Sequence, residues 1–314
     1  MSCVVAITAT YRRPVELARL LASLAAEGPA LAGAFVVDNA ASAETADIVS
    51  RAPWSVCVLA PEENLGCGGG LALGLREALR DPAVTHCWIF DDDAAATPGA
   101  LAALLAALET ARADAAVPLI TDAAGRIGWF PGPLTRPAWD VIRRPGLTPA
   151  EFRRTCGEAP LRWSWAPCPS LLVTRRTIET AGLPRDDYWF QGEDLEWTLR
   201  ISACLAGVFV PAAECRHLPP AADDPARAFL KQALMLQNNF YTGTRLSHGR
   251  RLLCHTPGNI GRFLAANRFS VLALVAVWLG GWRGAIRGRP AGAAGGDGFR
   301  QAWEQRAPRP GFAL

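Results

Sequence analysis

The sequence predicts an α/β fold in which a mostly parallel, mixed sheet is flanked by helices and followed by a helical C-terminal region. Over the first 120 residues, short β-rich runs alternate with longer Ala/Leu-rich stretches, which is typical of a parallel α/β sheet. Half of the 314 residues are apolar, so the chain can bury a large core. From residue 225 onward, 13 basic side chains stand against 2 acidic ones, which indicates a region of different character.

The predicted elements follow the alternation in order. Strands are predicted for Val4 to Thr8, Ala34 to Val37, Ser55 to Leu59, Cys87 to Phe90 and Ala116 to Ile120, and later for Ser170 to Val173 and Gly207 to Pro211. Helices are predicted for Pro14 to Glu27, Ala43 to Arg51, Gly70 to Arg80 and Pro98 to Arg112, near Thr177, and within Tyr188 to Ala206. The Pro, Gly, Arg and Trp residues of Thr121 to Trp165 indicate loops and short antiparallel strands.

A linker rich in Pro and Asp, Pro219 to Pro225, predicts two parts, residues 1–220 and a basic, mainly helical region 221–314. The excess of positive charge in the second part favours a phosphate-rich partner such as a membrane surface. Within it, Phe269 to Trp282 is apolar and free of charge but too short for a confident membrane span. This stretch predicts either a buried helix or a helix in the bilayer interface, and the Gly/Ala-rich run Gly288 to Gly298 predicts a flexible segment.

The nine cysteines are scattered and form no C-x-x-C pair, which indicates reduced thiols rather than a disulfide framework or a zinc ribbon. No charged leader with an apolar core precedes the strand-like run Val4 to Ile7, so secretion is not expected. We therefore expect a cytoplasmic protein, with peripheral contact to the inner face of the plasma membrane through the basic region.

Three carboxylates, Asp91, Asp92 and Asp93, end the apolar run that reaches Phe90. Ligands of open α/β sheets bind beyond the carboxyl ends of the strands, so these acids are expected to point into a site. Alternate side chains of an extended segment face the same way, which lets Asp91 and Asp93 act together on a hard divalent cation that bridges a diphosphate. An isolated acidic triplet is more often a solvated turn, but the preceding buried strand favours the metal site.

Glu193 and Asp194 open a second candidate cluster, at the start of an amphipathic helix and behind the aromatic pair Trp189-Phe190. A single acid there would be read as a cap that interacts with the helix dipole. Two adjacent acids beside aromatic walls favour a general base for a sugar hydroxyl, since partial desolvation raises basicity. His217 follows the last predicted strand and is a candidate third metal ligand, although a lone His is more often structural.

Other polar segments end strands at the same sheet edge. The glycine run from Asn64 to Gly70 permits close backbone approach to a phosphate or nucleotide, but it contains neither G-x-G-x-x-G nor G-K-[ST]. A dehydrogenase or a P-loop enzyme is therefore not expected. Tyr11, an adjacent arginine and Asp38 follow the first two strands and are candidates to hold a base, a phosphate and a ribose hydroxyl.

In order along the chain, these motifs resemble glycosyltransferase family 2 with a GT-A fold, in particular its rhamnosyltransferase and galactofuranosyltransferase branch. The matching segments are Thr8 to Pro14, Val37-Asp38-Asn39, Asn64 to Gly70, Ile89 to Ala94, Glu193-Asp194 and His217. The similarity covers about Val4 to His217. Arg12 stands where the motif usually has Asn, Ala41 where Ser is common, and Cys67 interrupts the glycine run.

The resemblance implies roles for these positions. Asp91, Asp93 and His217 would hold Mg²⁺ or Mn²⁺, and Asp194 would be the general base with Glu193 in support. The implied donor-binding residues are Thr8, Tyr11, Arg13, Asp38, Asn64, Gly68, Asp91 and Asp92. Trp163, Trp165 and Trp189 are candidate walls of an acceptor site, although large aromatic residues are more often part of the core.

We therefore expect an inverting transferase that moves a sugar from a UDP- or dTDP-linked donor, for example galactofuranose or rhamnose, to a hydroxyl of a glycan or lipid-linked acceptor. No nucleic-acid partner is expected. One alternative is a nucleotidyltransferase, although no basic, glycine-rich triphosphate loop follows the first strand. Another is a non-catalytic, membrane-docking module of glycan assembly, which would not need both acid clusters and His217.

Overall fold

The computed structural model describes residues 2–286 except 133, 135, 143, 145, 220–224 and 247–255. The described chain divides into two compact units. The first comprises residues up to 64, 70–183 and 197–219, and the second comprises 65–69, 184–196 and the described residues from 225 onward. The predicted boundary between residues 220 and 221, most of the predicted linker and the glycine-rich run 288–298 lie outside the described residues.

The first unit is built on one ten-stranded mixed sheet. Along the main path the strand order is β3-β2-β1-β4-β9-β6-β10-β5, with β7 paired to β6 and β8 paired to β10. The strands β3, β2, β1 and β4 run parallel, as β6 and β10 do, whereas β9 lies antiparallel between β4 and β6. The strands are β1 (Val4–Thr10), β2 (Leu31–Asp38), β3 (Val56–Leu59), β4 (His86–Asp91), β5 (Ala94–Ala96), β6 (Ala115–Thr121), β7 (Ile127–Trp129), β8 (Leu161–Trp163), β9 (Ser170–Thr174) and β10 (Gly207–His217).

Helices of the first unit pack against the sheet because their apolar faces repeat with helical spacing. In α1, Leu17, Leu20, Leu21 and Leu24 are buried, and Pro14 occupies the first turn, where its missing N–H is not needed. Ser42 caps the second helix by accepting the Thr45 N–H. The helices are α1 (Pro14–Ala25), α2 (Ala43–Ser50), α3 (Gly66–Ala78), α4 (Ala100–Ala111), α5 (Arg136–Ile142), α6 (Pro149–Cys156), α7 (Arg175–Ala181), α8 (Glu193–Cys204), α9 (Pro225–Arg245), α10 (Thr256–Ala266) and α11 (Val271–Gly281).

The pairing of β1 with its two neighbours brings polar strand ends to one edge. Thr10 lies level with Asp38 of β2, and Ala9 lies level with Asp91 of β4. Because the three strands are parallel, their carboxyl ends meet at the same edge. The edge predicted to carry the chemistry is therefore formed by β1, β2 and β4.

A wide bulge interrupts the pairing of β10 with β6. Val210 pairs with Pro118 and Glu214 pairs with Leu119, so residues 211–213 have no counterpart on β6. Beyond the bulge, β10 continues to His217 and pairs antiparallel with β5, where His217 lies level with Ala94. The predicted strand over Gly207 to Pro211 is thus the first half of a longer strand.

The predicted fold class and the order of strands in the first 120 residues are confirmed. Two local predictions were wrong. The third helix begins at Gly66, so the glycine run lies inside its first turns rather than before it. The segment Thr121 to Trp165 contains, besides β7 and β8, the helices α5 and α6, whose short length leaves little periodic pattern to read.

The described C-terminal part of the second unit contains α9, α10, α11 and a short π-helix, Trp282–Ile286. Leu236, Phe263 and Ala273 form its small apolar core. None of the helices in the described ranges is both long and apolar enough to cross a membrane.

Candidate active site

A cluster of three side chains at the sheet edge could bind a metal ion. One ligand atom from each of Asp91, Asp93 and His217 can be chosen so that all three lie within 4.8 Å of one another. His217 Nε2 is 3.1 Å from Asp93 Oδ1 and 3.9 Å from Asp91 Oδ2. The structure therefore brings together the three residues that sequence analysis assigned to a metal.

Strand pairing explains how His217 reaches the two acids. The antiparallel pair of β5 and β10 places His217 level with Ala94, the residue after Asp93. The Leu218 N–H then donates to the Asp93 backbone carbonyl at 2.8 Å. The sheet fixes both backbones, so the ligands do not depend on a flexible loop for their spacing.

The chemistry of this cluster fits a hard divalent cation. Asp93 Oδ1 is buried, and His217 Nε2 is the neighbouring nitrogen. Burial acts to raise the pKa of Asp93, but the contact with His217 and the charge of Arg13 outweigh it and hold the pKa below its usual value. Two carboxylates beside an imidazole provide oxygen and nitrogen ligands suited to Mg²⁺ or Mn²⁺.

Arg13 and Asp92 form hydrogen bonds next to the metal-binding cluster. Arg13 Nη1 donates to Asp92 Oδ1 at 3.0 Å and to Asp93 Oδ2 at 2.8 Å, and the Thr10 hydroxyl donates to Asp92 Oδ2 at 2.8 Å. Burial raises the pKa of Asp92 to about 6, against the opposing effect of Arg13. Asp92 thus anchors Arg13 and β1 in this structure, and the donor contacts predicted for Asp92 and Arg13 stay predictions.

The other predicted donor residues of the first unit lie near the same strand ends. The Asp38 carboxylate is buried and accepts the N–H groups of Ala40 and Ser42, so it stabilises the turn after β2. Its predicted contact with a ribose stays a prediction, and it would require this buried carboxylate to become accessible. Thr8 is buried in β1 and its hydroxyl has no hydrogen-bond partner, whereas Tyr11 and Asn64 are partly exposed.

Glu193 and Asp194 begin a helix, α8, as predicted. Both residues belong to the second unit. Glu193 Oε2 is buried without a hydrogen bond. Burial, and then the charge of Asp194, raise the pKa of Glu193, although the Cys67 thiol opposes this. Burial and the neighbouring acid therefore favour the protonated form of Glu193. The Leu195 N–H donates to Asp194 Oδ1 at 2.7 Å.

The glycine run makes room for the segment that precedes this pair. A Cβ on Gly66 would come within 2.0 Å of the Trp189 carbonyl oxygen, and one on Gly68 within 2.5 Å of the Arg185 carbonyl oxygen. The Cys67 N–H also donates to the Trp189 carbonyl at 2.9 Å. These glycines are thus required for packing against residues 185–189, and the predicted donor contact of Gly68 stays a prediction.

The three tryptophans predicted as acceptor walls differ in their surroundings. Trp163 is buried against Gly207, Trp189 is buried against Gly66, and Trp165 is partly exposed beside Gly132. In the described structure Trp163 and Trp189 therefore pack as core residues, and an acceptor contact of any of the three stays a prediction.

Sequence analysis missed Trp129, the last residue of β7. Its ring stands edge-on to His217 with the ring centroids 5.6 Å apart, and it is 47% exposed. An open cleft of about 400 Å³ also borders His217 and is lined by Arg19, Asp122, Ala123, Ala124, Arg126, His217, Leu218 and Pro219. Trp129 lies in a stretch without clear periodicity, so only the fold could connect it with the cluster.

Comparison with known proteins decides the family. Residues 5–163 match the family described as Glycosyl transferase family 2. The galactofuranosyltransferase GlfT1 of Mycobacterium tuberculosis H37Rv is 30% identical over 234 residues, which cover 72% of this chain and 73% of that protein. The chain belongs to glycosyl transferase family 2. The family resemblance of the sequence motifs is thereby confirmed, and the chain is a glycosyltransferase rather than a nucleotidyltransferase or a docking module.

Solved structures show the same fold for this glycosyltransferase. S. aureus TarS 1–349 in complex with UDP-GlcNAc aligns with a TM-score of 0.57 at 17% identity, over 89% of this chain and 79% of that one. GalNAc-T7 with UDP, GalNAc and Mn²⁺ aligns with a TM-score of 0.53 at 18% identity, over 77% of this chain. The chain spans 45% of a longer TarS structure and 50% of GalNAc-T7.

Proposed function

We propose that this family 2 glycosyltransferase moves a sugar from a nucleoside diphosphate sugar to a hydroxyl of a glycan or lipid-linked acceptor, with inversion at the anomeric carbon. The single observation that carries the proposal is the Asp91–Asp93–His217 cluster at the carboxyl edge of the sheet. The name of GlfT1 and the UDP complexes of TarS and GalNAc-T7 support a UDP-linked donor, with galactofuranose the first sugar to test. A dTDP-linked donor such as dTDP-rhamnose is the second.

In this proposal Asp91, Asp93 and His217 hold Mg²⁺ or Mn²⁺. The cation, when bound, would supply positive charge that stabilises the departing diphosphate. Arg13 keeps the Asp93 carboxylate ionised and oriented, because its guanidinium bridges Asp93 and the buried Asp92. Hydrogen bonds of this kind orient a metal ligand and thereby tune metal binding.

Asp194 is the proposed general base. Its carboxylate takes the proton of the acceptor hydroxyl as that oxygen forms a bond to the anomeric carbon. The bond between the anomeric carbon and the diphosphate oxygen breaks in the same step, and its electron pair leaves with the nucleoside diphosphate. A protonated Glu193 supports this role because it leaves the charge of the pair on Asp194.

We also propose that Trp129 contacts a sugar. Its exposed ring beside His217 offers an apolar face next to the ligands of the cation. Aromatic rings of this kind stack on the C–H faces of sugars, so we assign Trp129 to contact with the transferred sugar or the acceptor.

Peripheral membrane contact through the C-terminal helices is also proposed. Six large apolar side chains at 269–278 are 43–77% exposed, namely Phe269, Val271, Leu272, Leu274, Val275 and Trp278. They lie on one face of α11 and just before it, while Ala273 and Gly280 face inward. Arg262 and Arg268 are exposed in the same C-terminal region, and the sequence of residues 225–286 contains no acidic side chain. Apolar and cationic groups together fit the surface of an anionic bilayer.

A donor panel tests the core of the proposal. Purified protein is incubated with UDP-galactofuranose, UDP-N-acetylglucosamine and dTDP-rhamnose, each with and without Mn²⁺, and released nucleoside diphosphate is measured. Release that depends on one donor and on the cation is expected. Equal background release from all donors, with or without Mn²⁺, would contradict the proposal.

A further inference from the structure

A buried polar face of α9 packs against the segment that leads to Glu193. Asn238, Tyr241 and Thr242 occupy positions i, i+3 and i+4 of this helix, so they lie on one face. Asn238 is completely buried, and the other two are nearly so. Buried polar side chains need hydrogen-bond partners, and this face finds them in residues 185–191.

Asn238 makes the contacts nearest to the acidic pair. Its Nδ2 amide donates to the backbone carbonyl of Phe190 at 3.1 Å and to that of Gln191. An asparagine amide has two N–H donors, so both are used on consecutive carbonyls. Glu193 and Asp194 follow within four residues of these carbonyls.

The backbone held by Asn238 is in an unfavourable conformation. Gln191 has φ = +66° and Gly192 has φ = +94°, and a residue with a Cβ, such as Gln191, adopts positive φ only at a cost in conformational energy. The Asn238 Cβ approaches to 3.3 Å of the position that a Cβ on Gly192 would take. The contacts of Asn238 offset this cost and select one path for the chain into α8.

Two further contacts hold the same segment upstream. The Tyr188 hydroxyl is 2.5 Å from Thr242 Oγ1, and Arg185 Nη2 donates to the Tyr241 hydroxyl at 3.1 Å. The polar face of α9 therefore holds residues 185 to 191. Of its contacts, those of Asn238 lie nearest in sequence to Glu193 and Asp194.

We propose that Asn238 is a positioning residue that sets the place of the Glu193–Asp194 pair through the carbonyls of Phe190 and Gln191. The proposal rests on the assignment of Asp194 as the general base. It gives the α9 helix of the C-terminal region a part in the transfer reaction, separate from membrane contact.

Hydrogen–deuterium exchange tests the positioning without any substrate. In Asn238→Ala, the amides of residues 190–195 should exchange about tenfold faster than in the wild type, because the left-handed turn has lost its two donors. Asn239→Ala is the matched control, since Asn239 is a buried neighbour on the same helix and its loss leaves the Asn238 amide in place. Where the alanine variant does not fold, Asn238→Ser, which keeps a smaller donor, replaces it.

Kinetics then separate positioning from general damage. With UDP-galactofuranose, or the best donor of the panel, Asn238→Ala should lower kcat about 10- to 100-fold and leave the donor KM within about twofold. In the Asp194→Asn background the same change should have no further effect on kcat, because Asn238 acts through Asp194.

Two results would overturn the inference. Unchanged exchange at residues 190–195 would show that Asn238 does not hold the segment. Losses in kcat that multiply in the double variant would show that Asn238 acts independently of Asp194. Near-normal kcat in Asp194→Asn alone would instead refute the assignment of the base, while the exchange result would still stand for the contact itself.

Discussion

Asp93 Oδ1 lies 3.1 Å from His217 Nε2 across the antiparallel pair that β5 and β10 form. The carboxylate oxygen is buried beside the imidazole. A carboxylate oxygen and an imidazole nitrogen this close together would both be suited to hold a divalent cation.

Substitution of these ligands should therefore abolish dependence on the metal. We expect Asp93→Asn and His217→Ala to lower turnover by at least about 100-fold and to weaken Mn²⁺ binding, and chelation of the metal should do the same to the wild type. Mn²⁺ titration and steady-state rates are the measurements. His86→Ala, at the opposite end of β4, is the control and should keep wild-type turnover and wild-type Mn²⁺ binding. Mn²⁺ affinity that is equal in all variants would remove the cluster from the proposal.

Removal of the proposed base should affect the chemical step. We expect Asp194→Asn to lower kcat by about 100-fold or more while donor affinity, measured by calorimetry, stays within about twofold. Asp186→Asn removes an exposed carboxylate from the same segment and should leave kcat unchanged. If Asp194→Asn turns over near the wild-type rate with unchanged donor binding, another residue is the base.

The buried Glu193 should make stability depend on pH. Its pKa is raised in the folded protein, first by burial and then by Asp194, so its favourable contribution is complete below its unfolded pKa and is lost as pH rises through the folded pKa. We therefore expect Glu193→Gln to become more stable relative to the wild type as pH rises from about 4 to 8. Each kcal/mol of difference in the free energy of unfolding should appear as a difference of about 2–4 °C in Tm. Thermal melts at several pH values measure this. A difference in Tm that is constant with pH would contradict the raised pKa.

Trp129 should contribute binding rather than chemistry. We expect Trp129→Ala to raise the KM of the acceptor or donor sugar by about 3- to 10-fold, which corresponds to the loss of one stacking contact, with kcat less affected. Trp129→Phe keeps an aromatic face and should recover most of the loss. Equal KM values in wild type, Ala and Phe variants would exclude contact with a sugar.

The exposed apolar side chains of residues 269–278 should bind anionic lipid. We expect the wild type to co-sediment with vesicles of phosphatidylglycerol and phosphatidylcholine, and binding should weaken as salt is raised. Leu274→Glu and Trp278→Glu should reduce binding about tenfold or more, whereas Val15→Glu, an exposed apolar position in α1, should not. If the substitutions instead dissociate an oligomer in gel filtration and leave vesicle binding unchanged, the face is a protein interface.

Much of the fold could be predicted from sequence because periodicity reports burial on a local scale. The strands β1, β2 and β4 are largely buried runs, and the acids at 91–93 lie at the end of β4 and directly after it. The hydrogen bonds that Asp38 and Asp92 accept within the protein could not be predicted, since the partners of a carboxylate depend on turns and on other strands. The packing of the glycine run against Trp189 was hidden for the same reason, because the residues in contact are far apart in sequence.

The three unpaired residues of the β10 bulge have a consequence for sequence variation. Successive side chains of a strand point to opposite faces, so the number of residues between Val210 and Glu214 helps to decide which face His217 presents. Loss of one residue there would preserve the composition and most of the hydrogen bonding, yet it would turn the imidazole away from the acids. The number of residues in this bulge therefore helps to place a candidate metal ligand. A sequence alignment that allows insertions or deletions here would misplace His217.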